Sequence, residues 1–208
     1  MFQVLDLFSG IGGFSLGLES TGGFETCAFC EIDTDCRAVL RRHWPNTPIY
    51  SDVKELDRGT METDGVRLPD IITAGWPCQD ISTAGQGDGL RGDRSGLWSE
   101  VARLVDELDP RLVILENSPN LRNRGLEWVL SDLWSFGFDA EWHVVPASAV
   151  GAFHQRETLD CCLLPTHRTS EIVGTCSTRA SNAVRVWASK SACRCFSRRK
   201  YALRVWRA

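Results

Sequence analysis

A cysteine and a glutamate in this sequence have the residue types and the neighbours that nucleophilic chemistry requires. Cys78 lies in the segment Gly75-Trp76-Pro77-Cys78-Gln79, on a polar loop that follows a strand-like run. A thiolate is a strong nucleophile once its pKa is lowered, and a polar loop at the ligand-binding edge of a sheet favours that change. Glu116 ends the next apolar run, where its carboxyl group can protonate or hydrogen-bond a ring nitrogen of a substrate. The alternatives are a small buried cysteine and a helix-capping glutamate.

A glycine-rich turn follows the first strand-like run. It reads Asp6-Leu7-Phe8-Ser9-Gly10-Ile11-Gly12-Gly13, and Glu31 lies 18 positions after Gly13, at the end of the next run. Glycines let the backbone approach a ligand closely, and a carboxylate at this spacing is expected to bind a ribose. Asp6 would repel a pyrophosphate but suits a cationic methionine group, which favours S-adenosyl-L-methionine over a dinucleotide. The alternative is a glycine turn that binds no ligand.

Strand-like and helix-like segments alternate over the first three quarters of the chain and would position these residues. Strands are predicted over 2–7, 24–31, 48–50, 70–74, 111–115 and 139–145, and helices over 14–18, 33–43, 97–108 and 126–136. Alternation of this kind, with strands that are apolar on both faces, predicts an α/β fold with a mostly parallel sheet and helices on both faces. In such a sheet the ligand lies beyond the carboxyl ends of the strands.

Composition and charge limit the possible classes of protein. With 208 residues, of which 43% are hydrophobic, the chain can bury a substantial core. No run approaches the ~18 consecutive apolar residues that a membrane helix needs, and no basic leader precedes the first strand, so a cytoplasmic location is expected. Residues 1–157 carry 13 Lys and Arg against 25 Asp and Glu (net −12), whereas residues 158–208 carry 10 against 2 (net +8). Overall charge therefore gives no argument for nucleic-acid binding.

The cysteines do not form a recognisable framework. Their number is nine, an odd count, and five of them lie in the last 51 residues. Cys27 and Cys30 have the spacing of a metal or redox pair, but no second ligand pair lies at zinc-site distance and their segment has the composition of a buried strand. We therefore expect neither disulfides nor a metal site.

Together these segments resemble the motifs of the cytosine-5 DNA methyltransferase family, in order over residues 2–157. Pro77-Cys78-Gln79 is similar to the family's catalytic motif, and Glu116-Asn117-Ser118 resembles its Glu-Asn-Val, with Ser118 in place of the valine. The resemblance implies a Rossmann-like S-adenosylmethionine-dependent methyltransferase fold that is incomplete at its C-terminal end. The cofactor contacts that it implies are Phe8, Ser9, Gly10, Gly12, Gly13, Glu31, Ile32, Asp52, Val53, Pro77 and Leu97.

The resemblance also implies roles for individual residues. Phe8 and Asp52 would contact the adenine and Glu31 the ribose of S-adenosyl-L-methionine. A cytosine flipped out of double-stranded DNA would enter the pocket. Cys78 would then add to ring carbon 6 while Glu116 stabilises ring nitrogen 3, so that ring carbon 5 takes the methyl group before a base removes its proton and Cys78 leaves. Arg156, in the family's Gln-Arg-Glu motif, would approach the flipped base. The expected assembly is a monomer without a metal.

The resemblance stops after Glu157. The family continues with a second arginine and an apolar strand, whereas this chain has Thr158 and then Leu159-Asp160-Cys161-Cys162-Leu163-Leu164. A buried strand would leave the Asp160 charge unpaired, so we expect residues 158–208 to be an atypical basic tail that packs poorly and leaves a sheet edge unpaired. Codons that encode residues 158–164 can be read one base later as Arg-Trp-Ile-Val-Ala-Tyr, which suggests translation out of frame. A genuine basic DNA-binding arm is the alternative.

Two other functions share most of these features. The same chemistry on transfer RNA uses the same motifs, and a non-catalytic module could bind S-adenosyl-L-methionine without turnover. No target-recognition region or late Asn-bearing motif is recognisable, so the sequence predicts a fragment of the kind of methyltransferase found in restriction-modification systems or phages, with doubtful activity of its own.

Overall fold

The structure is a computed structural model that describes residues 1–77, 96–151, 153 and 157–165, the last nine by their backbone alone. Two of the predicted catalytic residues, Cys78 and Arg156, lie outside the described residues. None of the helices in the described part of the chain is long and apolar enough to cross a bilayer.

The described residues form a seven-stranded sheet. Its strands are β1 (Phe2–Leu7), β2 (Phe24–Cys30), β3 (Ile49–Tyr50), β4 (Ile71–Ala74), β5 (Leu112–Asn117), β6 (Phe138–Pro146) and β7 (Glu157–Pro165), in the spatial order β3-β2-β1-β4-β5-β7-β6. The first five are parallel, while β7 runs antiparallel to both β5 and β6. The predicted mostly parallel α/β sheet is thereby confirmed.

Six helices connect or follow the strands in the described ranges. They are α1 (Gly13–Glu19), α2 (Thr34–His43), α3 (Arg58–Thr63), α4 (Leu97–Leu108), α5 (Leu121–Arg124) and α6 (Leu126–Ser135), and a 3₁₀ turn covers Ala147–Val150. Helix α2 begins where Asp33 accepts hydrogen bonds from the backbone N–H groups of Asp35 and Cys36, as an N-cap does. Helix α3 was absent from the sequence prediction because its only buried residue is Met61, which leaves no apolar periodicity to detect.

Each face of the sheet is covered by a different set of helices. Alternate residues of a strand point to opposite faces, so Leu5 and Leu7 pack with α4 and α6, whereas Val4 packs with Leu18 of α1. Asp6 and its neighbour Phe29 on β2 share the face of Val4, and the Phe29 ring contacts that of Trp44, which follows α2, with 5.0 Å between the ring centroids. Helices therefore lie on both faces, and the carboxyl ends of the parallel strands meet at one edge.

Strand β7 extends the sheet past Glu157. The expected boundary between residues 157 and 158 falls inside this strand, so regular structure continues to Pro165. The expectation that the edge of β5 would be left unpaired is wrong, because Val113 to Asn117 pair with Leu163 to Leu159. Strand pairing uses backbone N–H and C=O groups, so it does not require the apolar side chains that the family's motif supplies here. Residues 166–208 lie outside the described residues.

Candidate active site

The loop between β1 and α1 has an unusual backbone. Phe8, Gly10 and Gly12 adopt positive φ angles of 53°, 53° and 88°. A φ in this range is strained for a residue with a Cβ and is accessible to glycine, which explains why the sequence has glycines at two of the three positions. The Gly12 N–H donates to the Ser9 carbonyl at 2.8 Å and closes the turn. The loop is thus held in one conformation at the carboxyl end of β1.

The glycines of this loop have different surroundings. A Cβ built on Gly12 would lie 2.6 Å from the Trp44 ring, so this glycine is needed for packing against α2 and the residue after it. A Cβ on Gly10 or Gly13 would meet no atom within 4 Å. Gly10 and Gly13 therefore leave room for a ligand to approach the backbone, whereas Gly12 does not.

Glu31 connects the glycine loop to the end of β2. Its Oε2 accepts a hydrogen bond from the Gly10 N–H at 2.7 Å, and its Oε1 accepts one from the Asp33 N–H at 2.8 Å. Arg37 donates to the carbonyl oxygens of Glu31 and Ile32 at 2.9 and 2.5 Å, which fixes the backbone on either side of the carboxylate. The Glu31 carboxylate is therefore oriented toward the loop before any ligand binds.

Asp6 lies under the loop and has no contact with solvent. Its two carboxylate oxygens accept hydrogen bonds from Thr73 Oγ1 at 2.7 Å and from Ser15 Oγ at 2.9 Å. Burial raises its pKa to about 7, and the two hydroxyl donors oppose that rise. The side chain faces Ser15 of α1 and Thr73 of β4, so Asp6 supports the loop from below.

Ser9 and the residues expected around the adenine occupy defined places. The Ser9 hydroxyl is buried and donates to the Asp6 carbonyl at 2.5 Å and, more weakly, to the Cys30 carbonyl at 3.3 Å. Phe8, Val53 and Leu97 pack against the same hydrophobic cluster. That cluster brings together residues from three separate segments of the chain.

Asp52 and Ile32 complete the set of expected cofactor contacts. The Asp52 carboxylate accepts a hydrogen bond from the Lys54 N–H at 2.9 Å in the turn after β3. Ile32, which follows Glu31, has 74% of its surface exposed. An exposed apolar side chain beside the ribose-binding candidate is available to cover a ligand.

Glu116 lies beside the segment that leads into Cys78. A Cβ built on Gly75 would lie 3.2 Å from Glu116 Oε2, a tight contact, so the glycine leaves room for the Glu116 carboxylate beside the end of β4. The adjacent Asn117 donates from Nδ2 to the Trp76 carbonyl at 2.9 Å and accepts from the Ser118 N–H at 2.8 Å. The sequence analysis did not predict this role of Asn117. Its position directly after Glu116, at the end of a strand, was the signal that could have indicated it. It fixes the backbone two residues before Cys78, and Pro77 is exposed at this edge.

Cys27 and Cys30 lie on β2, which confirms that their segment is a strand. Both are free thiols on β2, and burial raises the pKa of each to about 12. The Cys27 thiol donates to the Val4 carbonyl at 3.2 Å. A buried thiol with a raised pKa is unreactive, as the composition of its segment predicted.

These features define a class of protein before any comparison is made. A parallel sheet with a glycine loop after β1, a carboxylate at the end of β2 and open space above Gly10 is typical of α/β proteins that bind an adenosine-containing cofactor. The sequence model of the family described as C-5 cytosine-specific DNA methylase matches residues 2–175, and the chain belongs to this family.

Individual relatives agree with this assignment. The chain is 35% identical over 162 residues to the Type II methyltransferase M.CviJI of Paramecium bursaria Chlorella virus IL3A, an alignment that covers 77% of this chain and 42% of the relative. It is 34% identical over 164 residues to M2.BsuMI of Bacillus subtilis (strain 168), covering 74% of this chain and 40% of the relative. The chain thus spans about two fifths of the length of the curated relatives it matches.

Solved structures share the fold. A putative DNA modification methyltransferase encoded within a prophage (E. coli) superposes with a TM-score of 0.65 at 27% identity, covering 80% of this chain and 47% of that one. A Spodoptera frugiperda DNMT2 mutant gives a TM-score of 0.67 at 22% identity, covering 81% and 51%. The cofactor of a methyltransferase of this fold is S-adenosyl-L-methionine; the open space at Gly10 and Gly13 leaves room for its methionine group, and the oriented Glu31 carboxylate fits its ribose.

Proposed function

We propose that this chain is the cofactor-binding and catalytic part of a DNA (cytosine-5) methyltransferase that transfers the methyl group of S-adenosyl-L-methionine to carbon 5 of cytosine. Its substrate is double-stranded DNA with the target cytosine flipped out of the stack. It acts as a monomer in the cytoplasm and uses no metal.

The observation that supports this function most directly is the position of Glu116 against Gly75. The carboxylate lies beside Gly75, three residues before Cys78 in the sequence, which supports an acid and a nucleophile acting at the same edge of the sheet. Attack on cytosine needs both, because ring carbon 6 accepts a nucleophile only when ring nitrogen 3 is protonated or hydrogen-bonded. Asn117 fixes the spacing between the two strand ends through the Trp76 carbonyl.

The cofactor would be held at the neighbouring strand ends. Glu31 would bind the ribose hydroxyls, Asp52 and Val53 the adenine edge, and Phe8, Ile32 and Leu97 the apolar faces. The backbone at Ser9, Gly10 and Gly13 would approach the methionine end, Gly12 would hold the turn against Trp44, and Pro77 would border the methyl group. When bound, the cofactor supplies an electrophilic methyl group at a sulfonium centre.

The protein's own residues carry the remaining steps. The Cys78 thiolate forms a bond to ring carbon 6, and Glu116 holds a proton at ring nitrogen 3 so that the added electron pair is delocalised toward carbon 5. After methylation, loss of the carbon 5 proton to a base re-forms the ring double bond and expels the Cys78 thiolate. Arg156 would contact the flipped base and balance its charge.

A second candidate, cofactor binding without turnover, is favoured by one observation. The matches cover 42% and 40% of two curated relatives, so more than half of each relative's length has no counterpart in the matched part. In this case residues 1–157 would bind S-adenosyl-L-methionine, and residues 158–208 would be a basic tail translated out of frame.

Two measurements on the full chain separate these functions. Isothermal titration with S-adenosyl-L-methionine tests the cofactor site, and transfer of a labelled methyl group to duplex DNA or to transfer RNA tests catalysis. Binding with transfer to DNA supports the methyltransferase, and binding without transfer supports the non-catalytic module. Transfer to RNA alone would assign the other substrate, and absence of binding would contradict both proposals. The coding DNA around Thr158, read in all three frames, tests the origin of the tail.

A further inference from the structure

One arginine outside the expected cofactor contacts joins two of the segments that carry them. Arg103 lies on α4, and its Nη2 donates to the carbonyl oxygens of Val53 at 3.0 Å and of Leu56 at 2.9 Å. These carbonyls belong to the turn that contains Asp52, which is separated from α4 by about 50 positions in the sequence. Arg103 therefore connects the helix to the turn.

The guanidinium group of Arg103 is itself held in place from both sides along the helix. Its Nε donates to Glu100 at 2.8 Å and its Nη1 donates to Glu107 at 3.1 Å. Residues three and four positions apart lie on one helix face, so the two carboxylates fix the plane of the guanidinium. Three nitrogens in a rigid fork thus serve two carboxylates and two carbonyls at once, which a lysine ammonium cannot do in the same geometry.

The same contact region extends further along the turn. The Glu107 carboxylate accepts a hydrogen bond from the Arg58 N–H at 2.8 Å, and the Glu107 carbonyl accepts two from the Arg58 guanidinium at 3.2 and 2.6 Å. Residues 53–58 are therefore fastened to α4 over their whole length. Because Leu97 begins α4 and packs against the same cluster as Val53, the helix and the turn form one unit.

We propose that Arg103 is a positioning residue for the adenine end of the cofactor site. It sets the distance between the Asp52 turn and the start of α4 at Leu97, and the adenine lies between these two segments. This inference rests on the proposed function, since it requires that the chain bind S-adenosyl-L-methionine. Arg103 touches no ligand and acts through the Val53 and Leu56 carbonyls.

The test compares dissociation constants for S-adenosyl-L-methionine and for adenosine, measured by titration on the full chain. Arg103→Met should weaken binding of both probes about tenfold, which corresponds to about 1.4 kcal/mol. Arg103→Lys should give an intermediate loss, because it keeps the charge without the fork. Arg111→Met, at the amino end of β5 and far from the cofactor edge, should leave both constants unchanged. If Arg103→Met fails to fold, Arg103→Lys carries the comparison.

A double-mutant cycle distinguishes positioning from general stabilisation. Asp52→Asn should weaken binding, and adding Arg103→Met should cost little more, because both changes act on the same turn. The inference would be overturned if the two substitutions increased the dissociation constant independently, so that their effects multiply. It would also be overturned if Arg103→Met left the dissociation constant unchanged, or if it weakened binding of S-adenosyl-L-methionine but not of adenosine. If the unmodified chain binds neither probe, the proposed function fails and the inference fails with it.

Discussion

Asp6 gives the protein a dependence of stability on pH that can be isolated by one substitution. The carboxyl group is completely buried between β4 and α1, where Thr73 and Ser15 donate to it. Asp6→Asn keeps the shape of the side chain and can still accept from one hydroxyl while donating to the other. The substitution therefore removes the ionisable group with little change in packing.

The magnitude follows from the difference between the folded and unfolded pKa. Burial raises the pKa of Asp6 from 3.8 to about 7. The unfolded chain binds fewer protons than the folded chain between these values, so the free energy of unfolding falls as the pH rises through this window. Stability from this group is fully present below about pH 4 and has decreased by about 4 kcal/mol above about pH 7, at about 1.4 kcal/mol for each unit of pKa difference.

Urea denaturation followed by tryptophan fluorescence, at several values from pH 5 to pH 8, measures this effect. Other carboxylates titrate in both proteins, so the informative quantity is the free energy of unfolding of Asp6→Asn minus that of the unmodified chain. This difference should increase by about 3 kcal/mol from pH 5 to pH 8, because most of the titration falls in this interval. Asp106→Asn, on an exposed position of α4, controls for the loss of one negative charge. A difference for Asp6→Asn that does not change with pH would refute the reasoning.

Three further predictions concern other parts of the molecule. Cys78→Ser should abolish methyl transfer in a frame-restored chain and leave the dissociation constant for S-adenosyl-L-methionine unchanged in titration, because a hydroxyl is a far weaker nucleophile than a thiolate; loss of both would mark Cys78 as structural. Gly12→Ala should destabilise the fold by about 1–3 kcal/mol in urea, since its Cβ would meet Trp44 at 2.6 Å, whereas Gly13→Ala should spare stability and weaken cofactor binding; equal unfolding midpoints would contradict this. In hydrogen exchange, amides of β7 that pair with β5 should be protected; fast exchange there, with protection in β1 and β4, would contradict the pairing.

The sequence predicted the parallel part of the fold well because its signals are local. Apolar runs bounded by glycine or polar residues marked β1, β2, β4 and β5, and the long amphipathic period marked α4 with the bounds that the structure has. The positions of Gly10, Glu31 and Glu116 at strand ends followed from this alternation alone. Because parallel strands place their carboxyl ends at one edge of the sheet, predicting the strands also predicted the location of the candidate site.

The features that were not predicted depend on which strands pair and on which side chains of distant segments meet, and the sequence gives only weak signals for either. Strand β7 was missed because Asp160 and the two cysteines do not form an apolar run, yet backbone pairing with β5 and β6 does not need one. The hydrogen bonds of Asp6 to Thr73 and Ser15 could not be predicted, because motif position alone does not say which side chains of other segments face β1. Arg103 was not singled out, since the groups by which it contacts the turn are the Val53 and Leu56 carbonyl oxygens, and backbone carbonyls have no residue type to recognise.

The order of the last three strands, β5-β7-β6, affects how the sheet forms during synthesis of the chain. Strand β6 is synthesised before β7 but lies outside it, so β6 has no neighbour in the sheet until residues 157–165 have left the ribosome. Until then β5 also presents an open edge, the kind of surface that pairs with other chains. A premature stop between residues 147 and 156 would therefore remove two strands from the sheet while deleting only one from the chain.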